Sequence, residues 1–137
     1  MPTRRKGAAA RWSVTFEHRR LGTLFCRMRE SLEGEGLESA RKALHQLSEA
    51  LEAHLGQEES LYYPTIWALR PDYKQPLCDL LDIHPHIRDC MADLAEALEI
   101  EGRSEVEGRL EGLDKLFRQH ERAEEHLLHS LDLGPSH

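Results

Sequence analysis

The sequence predicts an all-α protein, an antiparallel up-down-up-down four-helix bundle. Three breaks rich in glycine or proline, at residues 34–36, 71–76 and 101–104, divide the chain into four stretches that are each long enough for a helix. Within every stretch, apolar residues recur at alternating spacings of three and four, which is typical of a helix packed along one side. Because the connections are short, neighbouring helices are expected to run antiparallel.

Each stretch carries one interior-facing row of residues, called its seam below. The first two seams are Val14, His18, Leu21, Phe25, Met28 and Leu32, then Leu44, Leu47, Leu51, His54, Glu58, Leu61 and Thr65. The last two are Leu77, Leu80, His84, Ile87, Met91, Leu94 and Leu98, then Leu110, Leu113, Phe117, His120, Glu124, Leu127 and Leu131. Ser104 followed by Glu107 matches a capping box, which predicts that the fourth helix starts there.

Length and composition fit one folded domain. The chain has 137 residues, of which 39% are apolar and 31% charged, so it can bury a core of ordinary size. We expect a flexible basic arm at residues 1–10, the bundle at 11–133 and a short tail at 134–137.

Net charge, the length of apolar stretches and the cysteine count indicate which partners and which cellular compartment to expect. A net charge of −7 argues against nucleic acid. No stretch approaches the roughly 20 apolar residues of a membrane span, and no secretory signal is recognisable. Three cysteines without CxxC spacing predict free, buried thiols in a cytoplasmic protein.

Six ionisable residues interrupt the seams. They are His18, His54, Glu58, His84, His120 and Glu124. A bundle core should not tolerate them, because burying an unpaired polar or charged group costs several kcal/mol. The chain also has nine histidines, many for its length, which is a first indication of a metal.

A repeat without gaps relates the two halves of the chain. The pairs His18 and His84, His54 and His120, and Glu58 and Glu124 are each 66 residues apart. In each half the chain climbs one helix from the first histidine and returns along the next, at about 1.5 Å per residue, to nearly the same height. Four histidines and two glutamates therefore converge on one layer, as in a site for two metal ions bridged by the glutamates. Such ligands suit iron, and residue types alone also allow manganese or zinc.

This ligand order resembles the hemerythrin-like, HHE cation-binding domain. Residues 54–64, HLGQEESLYYP, are similar to that family's H-x-x-x-E-E-x-L-x-x-P stretch. The resemblance extends from about residue 11 to residue 131. It implies two iron ions with an oxo or hydroxo bridge, the four histidines as terminal ligands and the two glutamates as bridges. Dioxygen, nitric oxide or peroxide would bind at an open position.

One family ligand is missing here. Oxygen-carrying hemerythrins have an H-x-x-x-H pair on the third helix, whereas Arg88 stands four residues after His84. Either Glu121 or water could supply the replacement. The resemblance therefore also allows a redox enzyme (a peroxidase or catalase, nitric oxide reduction, iron–sulfur cluster repair) with an unknown redox partner, or an iron store or sensor. A bundle without metal would leave the six seam residues unexplained.

Further residues have predicted roles around this site. Glu17, Glu59 and Glu125 neighbour the ligands in sequence and are expected to face outward, and their functional interpretation is a hydrogen bond to a ligand histidine. Tyr62, one turn beyond Glu58, is expected either to pack as an ordinary core residue or to shape the pocket and donate a hydrogen bond to a bound ligand. His86 competes with His84 but lies outward of the seam. The predicted apolar lining is Leu21, Leu51, Leu61, Ile87, Phe117 and Leu127. The histidines off the seams, His45, His126, His129 and His137, are expected on the surface.

Overall fold

The computed structural model describes the backbone of residues 2–132 and the side chains of residues 16–131, and every regular element in this range is helical. The α-helices are α1 (Pro2–Glu30), α2 (Leu37–Gln57), α3 (Tyr63–Leu69), α4 (Lys74–Ile100) and α5 (Arg103–Asp132). Two π-helical turns, Ser31–Glu35 and Glu58–Tyr62, and a 3₁₀ turn, Pro71–Tyr73, lie between them. The prediction of an all-α protein is confirmed.

The helices end close to the predicted breaks. Gly36 has a φ of 95°, a left-handed value that glycine adopts at little cost because it lacks a Cβ atom. Arg70 leaves the helical conformation immediately before a proline, whose ring crowds a helical residue in front of it. The predicted capping box is wrong, because α5 begins at Arg103, one residue before Ser104, and Glu107 accepts a hydrogen bond from the Arg103 side chain.

The predicted division into arm, bundle and tail stays a prediction. Helix α1 begins at Pro2, so its backbone includes most of residues 1–10. The side chains of that segment, and the whole of residues 134–137, lie outside the described part of the chain.

Two expectations concern cysteine and the membrane. All three cysteines are free, as predicted, but Cys26 is exposed and Cys78 and Cys90 are only partly buried, so their expected burial is wrong. Among the described helices, none is long and apolar enough to cross a membrane.

The long helices share one interior, since α1 packs against α2 and α5, and α4 packs against the same two helices. The buried apolar side chains form two clusters. The larger includes Leu21, Phe25, Met28, Leu47, Leu51, Ile87, Leu94, Leu113 and Phe117, and the smaller consists of Tyr63, Ile66, Leu77, Leu80, Leu128 and Leu131. Each fully buried Leu, Ile, Met or Phe contributes roughly 1.5–3 kcal/mol. Along α4 and α5, the buried residues His84, His120 and Glu124 lie between the two clusters, so apolar packing closes them in on both sides.

The π-helical turn Glu58–Tyr62 changes which residues face the interior. The Tyr63 N–H donates to the carbonyl of Glu58, five residues back instead of four, so the turn holds one extra residue. Pro64 offers a cause, because it has no N–H and its ring would crowd the carbonyl four residues back in a regular helix. The predicted seam residue Leu61 is 55% exposed as a result, and this part of the prediction is wrong.

The rest of the predicted apolar lining is buried except for Leu127. Leu21, Leu51, Ile87 and Phe117 are each at most 2% exposed, which confirms them as interior residues. Leu127 is only partly buried, and Leu128 takes the interior position, because the α5 seam steps four residues beyond Glu124 rather than three.

Candidate metal centre

Six buried ionisable residues meet between the long helices. His18 comes from α1, His54 from α2, Glu58 from the π-helical turn, His84 from α4, and His120 and Glu124 from α5. None of them is more than 6% exposed. The structure thus brings together all six residues that the repeat places on one layer.

Glu58 lies at the middle of this cluster. Its Oε1 is 2.9 Å from Nε2 of His84 and 3.2 Å from Nε2 of His120. Its Oε2 is 3.0 Å from Nε2 of His54. One carboxylate therefore faces three imidazoles, all through the same ring nitrogen.

The inward-facing atoms form two groups that share Glu58. The first group, His18, His54, Glu58 and Glu124, includes a 2.9 Å contact between His18 Nε2 and Glu124 Oε1. The second group is Glu58, His84 and His120. Within each group, one potential ligand atom per residue lies within 4.8 Å of all the others. Nitrogen and oxygen atoms at these separations can surround a metal ion.

Three of the four imidazoles are also held at their outer nitrogen, Nδ1. The pairs are His18 with Glu125 at 2.6 Å, His54 with Glu17 at 2.6 Å, and His84 with Glu59 at 2.7 Å. The interpretation of these three glutamates as hydrogen-bond acceptors for the histidines is confirmed. In a neutral imidazole, an Nδ1–H that donates to a carboxylate leaves the lone pair on Nε2, the nitrogen a metal would bind.

His120 lacks such an outer partner. Its Nδ1 is buried and has no hydrogen bond with any described residue. The 66-residue repeat explains the difference, because the counterpart of Glu17 is Ile83, which cannot accept a hydrogen bond. The two halves of the chain therefore have the same inward-facing residues but differ in the partners of the outer Nδ1 atoms.

Tyr63 belongs to the site, and the sequence analysis missed it. Its hydroxyl donates to the Glu124 carboxylate and lies 3.4 Å from Nε2 of His120. Tyr62, the predicted neighbour of the site, instead donates to Oε2 of Glu17 at 2.6 Å. A regular helix would have placed Tyr62 over the site, and the π-helical turn places Tyr63 there. The proline that follows was the available signal.

Arg88, at the position of the missing fifth histidine, and Glu121 both face away from the two groups. Arg88 pairs with Glu52 and with Glu59. Glu121 Oε2 lies 3.5 Å from the outer Nδ1 of His18, and Glu121 is in neither group. The geometry therefore does not favour Glu121 as the replacement ligand.

The remaining histidines lie outside the centre. His84 is 1% exposed whereas His86 is exposed, and α4 stays helical through Pro85 between them. His45, His126 and His129 are exposed as predicted, and His137 lies outside the described residues.

Burial and charge oppose each other at the imidazoles. Burial disfavours the charged form of His54, but a hydrogen bond to Glu17 and the negative charge of the adjacent Glu58 outweigh it and raise the pKa of His54 to about 10. The same balance of burial against carboxylate partners raises the pKa of His18 and of His84. The cluster of acids thus favours positive charge at its imidazoles.

The two central carboxyl groups respond in opposite directions. Burial raises the pKa of Glu124. At Glu58 burial is outweighed by hydrogen bonds from Glu124 and from the imidazoles, which hold its pKa low. The nearby Glu58 carboxylate adds to the effect of burial at Glu124, because two carboxylates this close repel each other.

Unpaired atoms at the middle of the cluster test whether a metal fits. His54 Nε2 and Glu58 Oε2 are buried and make no hydrogen bond in the described part of the chain, although they lie 3.0 Å apart. A cation there would contact both atoms and would take over the role of the protons that hold the acids and imidazoles together. The donor set and these orphaned atoms fit a metal ion.

Fold and site together define a class, a helical protein whose interior holds an imidazole and carboxylate site suited to a metal cation. The chain belongs to the hemerythrin family, because the model of the Hemerythrin HHE cation binding domain matches residues 12–131. The resemblance seen in the sequence is confirmed, and the cation binding that the family name describes agrees with the buried cluster. No curated protein and no solved structure gave a significant match.

Proposed function

We propose that this protein holds two iron ions and binds dioxygen, or a related small molecule such as nitric oxide or peroxide, at them. The observation that carries the proposal is the pair of ligand groups sharing Glu58. Two adjacent groups with a common carboxylate describe two metal positions joined by a bridge. A single ion would leave one of the groups with its buried donors unused.

Glu124 is the second bridge in this proposal. Its Oε1 lies 2.9 Å from Nε2 of His18, and its Oε2 lies 3.7 Å from Nε2 of His120. The two oxygens of one carboxylate thus face one histidine of each group. Glu58 and Glu124 would bridge, and the four histidines would each bind one metal.

The donor chemistry favours iron. Both groups contain only imidazole nitrogen and carboxylate oxygen, and no described cysteine belongs to either. Such a set suits iron, and it also binds manganese or zinc, so metal analysis is part of the test. Bound iron would supply one-electron redox chemistry and an open position for the small molecule.

The protein's own residues shield and fix this site. The Phe117 ring lies 6.0 Å from the rings of His18 and His54 and 6.4 Å from that of His120, measured between centroids. Buried leucine and isoleucine side chains continue this apolar lining along the seams. Restricted water access supports binding of a small uncharged molecule and slows side reactions of a reduced metal.

We further infer that the four long helices form an antiparallel up-down-up-down bundle. Support comes from the ring of contacts, in which α1 packs on α2, α2 on α4, α4 on α5, and α5 on α1. The short connection of residues 101–102 between α4 and α5 favours antiparallel neighbours as well.

Metal analysis and absorption spectra of reduced and air-exposed protein test the function. We expect about two irons per chain, as the two ligand groups require, and oxygen-dependent charge-transfer bands. The variant His84→Ala should lose metal. The matched variant His86→Ala, two residues away but exposed, should keep it.

Other results of these experiments would change the proposal in specific ways. A protein that binds no metal and is equally stable without it would overturn the proposal. Zinc or manganese bound in preference to iron would replace the metal assignment. Rapid peroxide or nitric oxide consumption by the iron protein would make it a redox enzyme with an external electron donor, whereas stable reversible binding would make it a carrier or sensor.

A further inference from the structure

The second ligand group, Glu58, His84 and His120, has one residue fewer than the first, because Glu124 groups with His18 and His54. With Glu124 as the second bridge proposed above, each metal position has two histidines and two carboxylates. The missing family ligand belongs to the second group, because Arg88 stands one turn after His84. The second position is therefore the one that lacks a protein donor.

A phenol lies beside this second group. The Tyr63 hydroxyl is 3.4 Å from Nε2 of His120 and donates a hydrogen bond to Glu124. The Tyr63 ring lies 5.9 Å from the His84 ring, measured between centroids. The phenolic oxygen is thus among the inward-facing donor atoms, next to His120 of the second group and to Glu124.

Packing holds Tyr63 in this place. The side chain is 3% exposed and belongs to the smaller apolar cluster, where Leu80 and Leu128 also pack. Its backbone N–H bonds to the carbonyl of Glu58, so the π-helical turn ties Tyr63 to a central carboxylate residue. A donor fixed by packing and by its backbone is preorganised for a ligand role.

We propose that the phenolic oxygen of Tyr63 is a ligand of the metal held by His84 and His120, in place of the missing histidine. The proposal rests on the function proposed above. Binding would release the phenolic proton to solvent and replace the hydrogen bond to Glu124 with a bond to the metal. The competing role, a neutral phenol that only positions Glu124, is distinguished by the test.

The test is the visible absorption and resonance Raman spectrum of the oxidised, iron-loaded protein. A phenolate bound to iron(III) gives a visible charge-transfer band that enhances the ring vibrations of tyrosine. We expect this band in the natural protein and its loss in Tyr63→Phe, with the iron content unchanged. The adjacent variant Tyr62→Phe, which removes the hydroxyl bonded to Glu17, should keep the band.

A second variant covers the case in which Tyr63→Phe does not fold. The chain has three tyrosines, so the double variant Tyr62→Phe, Tyr73→Phe leaves Tyr63 alone. Phenolate vibrations in this variant that shift on ring deuteration of tyrosine would support the proposal. Iron-loaded protein without them would overturn the tyrosine ligand and leave the iron centre standing, whereas absence of bound iron would overturn both.

Discussion

The glutamates that contact the outer nitrogen of the buried histidines determine which ring nitrogen is free to bind a metal. Glu17, Glu59 and Glu125 each accept a hydrogen bond from an Nδ1, which fixes both the ring orientation and the nitrogen that faces inward. His45 makes a contrasting contact, because it pairs with Glu49 on the surface, where both side chains are about 70% exposed. The same two residue types thus form an ordinary surface pair in one place and part of a built site in another.

Replacing Glu17 tests this support. The variant Glu17→Gln keeps an oxygen near His54 but removes the charge, so we expect the affinity for metal to fall by about 10–100-fold. Competition with a chelator measures it. Glu49→Gln, at the surface pair, is the matched control and should change nothing. Equal losses in both variants, or none in either, would contradict a supporting role for Glu17.

At this scale the sequence predicts the inward residues well and the tyrosine poorly. The six ionisable residues are recognisable because they occupy seam positions and recur at a fixed interval. Tyr63 is not, because its place depends on a local change in helical pitch that no periodicity encodes. The missing hydrogen-bond partner at Nδ1 of His120 could be predicted from the repeat, since Ile83 stands where the other half has Glu17.

At the scale of helices, an ion pair joins α1 to α5. Arg29 donates to Asp114, which is 5% exposed, and to Glu111 at 2.6 Å. Arg118, which lies on α5 like Asp114, also donates a hydrogen bond to Asp114, at 3.0 Å. Burial of the Asp114 carboxylate is tolerated because two guanidinium groups donate hydrogen bonds to it. The pair of Arg29 and Asp114 also fixes how α1 lies against α5.

The variant Arg29→Met should lower the free energy of unfolding by about 1–3 kcal/mol, because Asp114 loses one of its two partners while still buried. Urea denaturation measures the change. Arg41→Met removes the exposed pair with Glu99 and serves as control, with little measurable effect expected. A loss no larger for Arg29 than for Arg41 would show that the interhelical pair does not stabilise the fold.

Helix breaks were predictable from glycine and proline, since those residues act through their own backbone geometry. The start of α5 was not predictable in the same way. Ser104 and Glu107 match a capping box, but Glu107 bonds to the Arg103 side chain instead, and the helix begins one residue earlier. The pair of Arg29 and Asp114 has no signature in the sequence, since it depends on how two distant helices are placed side by side.

For the whole molecule, the raised pKa values of the imidazoles connect stability to pH. His54 has a folded pKa of about 10, and an unfolded histidine titrates near 6.5. Because the folded value is the higher one, its stabilisation is fully present below about pH 6.5 and is lost as the pH rises through about 10. The raised pKa values of His18 and His84 act in the same direction.

We therefore expect metal-free protein to become less stable between about pH 6.5 and 10, as measured by urea denaturation at a series of pH values. Iron-loaded protein should lack this decline, because a metal binds neutral imidazole and competes with protons for it. Metal-free stability that is constant or increases over this range would contradict the charge assignment at the imidazoles.

The π-helical turn also makes the chain tolerant of a change in length. Each residue of an α-helix turns the chain by about 100°, so a deletion inside α2 would rotate all that follows away from Glu58. A deletion at the exposed Ser60 would instead shorten the span of the hydrogen bond between the Tyr63 N–H and the Glu58 carbonyl from five residues to four, and would leave Tyr63 above Glu58 provided that Pro64 is replaced as well. Insertions and deletions among homologous chains should accordingly concentrate between residues 59 and 62, where a codon can be gained or lost without moving the site.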